Sequence, residues 1–160
     1  MSRKTNKNPK IKHFDLKCFF FYPVILNQVI ILKLKEFIVT FGFGGIIYGM
    51  VEVLTRGYTH WTMVLTGGAV FTAIYLINLK MTSESIIPRC FVGCIIITAA
   101  EFTVGCIVNL ALKMNVWDYS AEKFNVLGQI CPLFSCGWFL ICIPATLLAF
   151  SLRRQFQRNS

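Results

Sequence analysis

Apolar residues fall along this chain in four long runs with short polar breaks between them, at about 37–54, 61–78, 86–112 and 129–150. As a helix rising about 1.5 Å per residue, each run can cross roughly 30 Å of hydrocarbon. A fifth stretch, Cys18–Leu32, is short for a span and is interrupted by Pro23, Asn27 and Gln28. With the linker to residue 36 it reads as an interfacial or re-entrant segment, and no small-x-small cleavage site marks it as a signal peptide. The pattern predicts an all-α integral membrane bundle of about four transmembrane helices with a short extra N-terminal apolar segment. Its parts are a basic cytoplasmic arm at 1–17, the apolar segment and linker at 18–36, the transmembrane domain at 37–152 and a basic cytoplasmic tail at 153–160.

Composition agrees with a bilayer. Of 160 residues 56% are hydrophobic and 14% charged, against about 25% charged in an ordinary globular domain. This excludes a disordered chain, and the length leaves no room for a nucleotide-binding domain beside a membrane bundle. The net charge of +9 would suggest nucleic acid in a soluble protein. Here it follows topology. With four spans, Arg3, Lys4, Lys7, Lys10, Lys12, Lys17, Lys33, Lys35, Lys80, Arg89, Arg153, Arg154 and Arg158 share one side, and Arg56, Lys113 and Lys123 lie on the other. Thirteen against three puts both termini in the cytoplasm by the positive-inside rule. The basic arm lacks the interleaved aromatics of a base-reading surface, so no nucleic-acid partner is expected.

Polar residues inside the runs carry the candidate chemistry. In the first run Gly42, Gly45, Gly49, Glu52 and Arg56 recur at steps of three and four, within about 80° on a helix. Gly45 and Gly49 form a small-xxx-small pair that admits a neighbouring helix, and Glu52 and Arg56 are spaced to pair at i,i+4. In the third run Thr98, Glu101, Gly105 and Asn109 repeat the arrangement. Glu101, near mid-span, should face the bundle, find a donor or stay protonated, because a lone carboxylate there costs on the order of 3 kcal/mol. It is either a substrate, ion or proton site or a helix-to-helix hydrogen bond. Two connections, Arg56–Trp61 and Val116–Gln129, lie on the extracytoplasmic side in this topology. They add His60, Trp117, Asp118, Tyr119, Asn125 and Gln129 to the same end, although Trp and Tyr there also suit an interfacial belt.

Several chemistries have no motif here. There is no GxxxxGK[ST], so nucleotide coupling needs a separate subunit. The seven cysteines contain no CxxC, two histidines cannot build a His-rich site, and neither GxSxG nor HExxH occurs, so no metal and no cofactor is expected. Cys131-Pro132 reads as a helix start with Pro in the first turn, or as a thiol near His60.

FGFGGIIYGMVE, then RGYTHWTM, a GG pair and Asn78, ITAAEFTVGCIVN, VWDYS and N-x-x-GQICP form an ordered series. From about Phe37 to Trp138 it resembles the type IV ABC transporter permease family of small bacterial membrane proteins. The resemblance implies a multi-pass protein of the bacterial cytoplasmic membrane, without an established substrate or catalytic residue. The chain departs from the family pattern at Leu79 and Lys123. Residues 1–32 lie outside the resemblance, as an accessory segment or the product of a start upstream of one near Lys33.

Three functions stay open. The first is a transport component with a polar intramembrane site at Glu52, Arg56, His60, Glu101, Asn109, Trp117, Asp118, Tyr119, Asn125 and Gln129, self-associated or joined to another membrane subunit, with an ATPase as a further partner. The second is a membrane-embedded enzyme acting on a lipid-linked substrate, with His60 or Glu52 as base and Arg56 on an anionic headgroup. The third is an accessory or sensor subunit whose polar residues only hold helices together.

Overall fold

A computed structural model describes residues 16–81 and 83–158, with side chains from residue 33 onward. The basic arm through residue 15 lies outside them. The chain divides into two compact units, Met1–Leu34 and Lys35–Ser160. Described residues of the first are helical, and their membrane placement stays an expectation. In order the elements are α1 (Leu16–Arg56), α2 (Trp61–Lys80), α3 (Ile86–Gly105), a π-helical segment (Cys106–Ala111) and α4 (Pro132–Arg158). No strand occurs among the described residues beyond one isolated bridge, Val126 to Ile130.

Four segments are long and apolar enough to cross a membrane: Lys33–Arg56, Trp61–Lys80, Ile86–Ala111 and Pro132–Arg158. These are the four runs read from the pattern. The fold is all-α, and the protein is a multi-pass membrane protein. α4 starts at Pro132 rather than at Gln129, because Gln129 and Ile130 are bonded into the preceding loop. Pro132 at the first helical position loses no hydrogen bond, since that N–H would have no intrahelical partner.

α2 is the central helix, with 61% of its most apolar window buried against 22–33% for the other three. Small residues allow this, since helices in lipid associate by close packing rather than by escape from water. Gly44 of α1 and Gly67 of α2 face each other: a Cβ on Gly44 would meet the carbonyl of Gly67 at 2.6 Å, and one on Gly67 would strike Tyr48. Gly45 and Gly49 also lie against α2, at Val64, as the small-xxx-small pair predicts. Gly42, expected on the same face, has nothing within 4 Å. The packed stripe runs through residues 44, 45, 48, 49 and 52, and position 42 falls off its edge. Further along, the hydroxyls of Thr40 and Thr72 meet at 3.3 Å.

At the C-terminal end of α2, Arg89 of α3 is buried at 4% exposure. Its guanidinium donates to the backbone oxygen and the side-chain oxygen of Asn78, at 3.2 and 3.0 Å, and to the Glu84 carbonyl at 3.0 Å. It also lies 4.9 Å from the Phe150 ring centroid. Arg89 thus caps the carbonyl end of α2, where the helix dipole favours a cation.

Candidate functional site

Glu101 lies on α3 and is 2% exposed. Its Oε1 accepts from the Tyr48 hydroxyl of α1 at 2.7 Å, and its Oε2 from the Trp138 indole N–H of α4 at 2.5 Å. The two rings stack with centroids 5.4 Å apart and planes 19° from parallel. One carboxyl group therefore joins three helices. An indole N–H is donor only, so Oε2 must be an acceptor, while a phenol can give or take the bond at Oε1.

About one turn beyond Tyr48 on α1, Glu52 is equally buried, at 2%. It pairs with Arg56, as the i,i+4 spacing predicts, and its Oε2 accepts from the Thr59 hydroxyl at 2.7 Å. Nη1 of Arg56 and the Tyr58 hydroxyl both reach the Val116 carbonyl at 3.5 Å, which brings the two polar connections to one end of the bundle.

The 112–131 loop has its own internal order. The π segment shifts the register, with Leu112 N–H bonded to the Ile107 carbonyl, and turns Asn109 towards the loop. Asn109 accepts from Val116 N–H at 2.7 Å and donates to the Trp117 carbonyl at 2.9 Å and to Gln129 Oε1 at 2.8 Å. The Trp117 indole donates to the Gln129 carbonyl at 2.9 Å. Gly105 makes room for this cluster: a Cβ there would meet Gln129 Oε1 at 2.5 Å and the Trp117 ring at 2.9 Å. Asn125 bonds the carbonyls of Ser120 and Glu122 and the N–H of Gly128. Asp118 is exposed and accepts from the Ser120 hydroxyl at 2.5 Å and its N–H at 2.8 Å, which hold its carboxyl below the ordinary value of 3.8. The ring of Tyr119 stacks on Phe134 of α4 at 4.4 Å. Burial pushes its phenol well up, and the Glu101 charge adds to the effect.

His60 is the N-cap of α2, with Nδ1 2.7 Å from the Thr62 hydroxyl and accepting from Thr62 N–H at 3.4 Å. That fixes the start of the helix. Among the described residues no three His, Cys, Asp or Glu side chains gather as metal ligands would.

Open space adjoins the polar end along the gap between α1 and α4. A cavity of about 170 Å³ is lined by Glu52, Thr55 and Arg56 of α1, Phe134 and Trp138 of α4, and Tyr119. A second, of about 140 Å³, runs on from it between Tyr48, Gly44, Pro144 and Leu148, floored by α2 residues such as Val70. Val51, Trp138 and Ile141 line both, so the two form one cleft, polar at the loop end and apolar beyond. Exposed Ile47, Phe134 and Pro144 on its rims open it sideways. Of the candidates read from the sequence, Glu52, Arg56 and Tyr119 line the cleft. Glu101 is behind its wall, bonded to Trp138. His60, Asn109, Trp117, Asp118, Asn125 and Gln129 are bonded within the connections. Tyr48, Trp138, Thr59 and Phe134 join the site without a motif or spacing that marks them in the sequence. A donor on the same bundle for the mid-span Glu101 was the one signal pointing to Tyr48 and Trp138.

No curated protein and no solved structure gives a match to the chain. A family model does, over residues 32–158, which include all four spans and both polar connections. With most of its length matched, the chain belongs to the family described as "Putative ABC-transporter type IV".

Proposed function

We propose that the protein is the membrane-spanning, permease-like component of a transport system of the bacterial cytoplasmic membrane, with both termini in the cytoplasm and a separate ATPase subunit as partner. Membership of an ABC-transporter family supports the transport reading. The observation that carries the site is the α1–α4 cleft, in which the Glu52–Arg56 pair stands at one end of an otherwise apolar channel. Such a cleft suits an amphipathic cargo, with its polar part on the ion pair and its apolar part between the helices. In this reading Glu52, Arg56 and Tyr119 contact the cargo. Glu101 is a positioning residue that holds Tyr48 and Trp138, and through them the cleft wall.

The enzyme reading has less support, because Nδ1 of His60 is engaged with Thr62 at the start of α2. The test is untargeted profiling of cells and medium from a deletion strain complemented with wild type, Arg56→Gln or Glu52→Gln. A compound that changes in the deletion strain, is restored by wild type, and is not restored by the variants at equal membrane abundance supports transport through the cleft. Full restoration by both variants overturns it.

A further inference from the structure

We infer that the α1–α4 cleft holds one glycerophospholipid with a phosphoethanolamine headgroup, one of its two acyl chains in the apolar stretch and its headgroup on Glu52 and Arg56. The inference rests on the cleft being the working site and names the class of molecule in it.

Length is the first argument. On α1 the lining runs from Gly44 to Arg56, twelve residue steps or about 18 Å of helix. Half the hydrocarbon of a bilayer is about 15 Å. Arg56 closes its span and Gly44 lies near the middle of Lys33–Arg56, so the cleft covers one leaflet, from headgroup level to about the midplane. On α4 the lining from Phe134 to Leu148 covers the loop-end half of that helix in the same way. The apolar part, about 140 Å³, is close to the roughly 150 Å³ of an engineered cavity that takes up benzene, so it admits a run of methylenes. It opens sideways past Ile47 and Pro144, the direction from which a lipid enters.

The polar end selects the headgroup. Arg56 has five N–H donors. One bonds Glu52, Nη1 reaches Val116 only at 3.5 Å, and Nε has no acceptor among the described residues. The remainder fit a phosphate, which a guanidinium binds with two parallel bonds. Each Glu52 oxygen accepts one bond, from Arg56 or Thr59, and keeps a second lone pair for an ammonium N–H. An acid beside the arginine opposes a headgroup that is only anionic. A trimethylammonium has no N–H to give to Glu52. A headgroup with one phosphate and one primary ammonium matches both charges.

The full-length protein, purified in detergent, is offered an equimolar mixture of phosphatidylethanolamine, phosphatidylcholine and phosphatidylglycerol with identical acyl chains and read by native mass spectrometry. The expected result is one phosphatidylethanolamine per chain, preferred by roughly tenfold. Arg56→Gln should remove the preference, and Ala145→Phe, which fills the apolar stretch far from the ion pair, should remove retention. Equal retention of all three lipids overturns the inference, as does retention unchanged in Ala145→Phe, which decides alone if Arg56→Gln does not fold. Lost retention with a cargo profile that still depends on Arg56 removes the lipid and leaves transport standing. Selective retention with an unchanged profile does the reverse.

Discussion

The Trp138 indole points its N–H at Oε2 of Glu101 from 2.5 Å, while Tyr48, stacked on that indole, holds the other oxygen. The geometry predicts unequal outcomes at one position. Glu101→Gln can keep both bonds by turning its carbonyl to Trp138 and its amide N–H to the Tyr48 oxygen, so melting in detergent should change little. Glu101→Leu leaves two buried donors without an acceptor. It should cost on the order of 1–2 kcal/mol, a bilayer figure below that for soluble proteins because the unfolded chain also finds partners. Equal melting of both variants would count against the arrangement.

Gly67 presses on Tyr48 and Gly44. Gly67→Val is therefore expected to separate α1 from α2 and to lower folded yield by at least as much as ordinary overpacking, about 1–3 kcal/mol. Gly42→Val, in open space, is the matched control and should leave yield unchanged. Fluorescence-detected size exclusion compares the pair directly.

Asn109 fastens the 112–131 loop with three bonds. Asn109→Ala should raise amide exchange across Val116–Gln129 while α2, which has no bond to it, keeps its protection. An unchanged exchange map would show that the loop does not depend on Asn109.

The Asp118 carboxyl is held below 3.8 by Ser120, so it binds protons less readily in the folded loop than in the unfolded chain. By linkage its contribution is fully present above that ordinary value and is lost as pH falls through the lowered folded one. Exchange of the Ser120 amide should rise only in that acid range, and Asp118→Asn should abolish the transition.

At the other end, Arg89→Gln is expected to weaken the capping of α2 by up to about 2 kcal/mol, the upper range for a cation at a partly buried helix C-terminus. Fraying read by exchange at Ile77–Lys80 checks it, and unaltered protection there would remove Arg89 as the cap.

The helices were legible because lipid demands long apolar runs, and Glu52 with Arg56 followed from helical spacing alone. Periodicity placed Gly45 and Gly49 correctly and Gly42 wrongly, since the packed stripe has an edge that spacing does not mark. Nothing in the pattern signalled the π segment, yet Glu101, Gly105 and Asn109 are all buried as their spacing predicts, with Gly105 and Asn109 both against Gln129 and Trp117. The role of Arg89 was not legible, because its acceptor, the end of α2, is created only by folding. The cleft was not legible at all, since it is the space left between α1 and α4.

The glycine contact has a mechanical consequence. With backbone against backbone, α1 and α2 cannot slide or part without opening a void, so they behave as one fixed jamb. α4 instead contains Pro144, whose ring removes an amide hydrogen bond from mid-helix on the rim of the cleft. Bending of α4 therefore costs least at Pro144, on the rim of the gap.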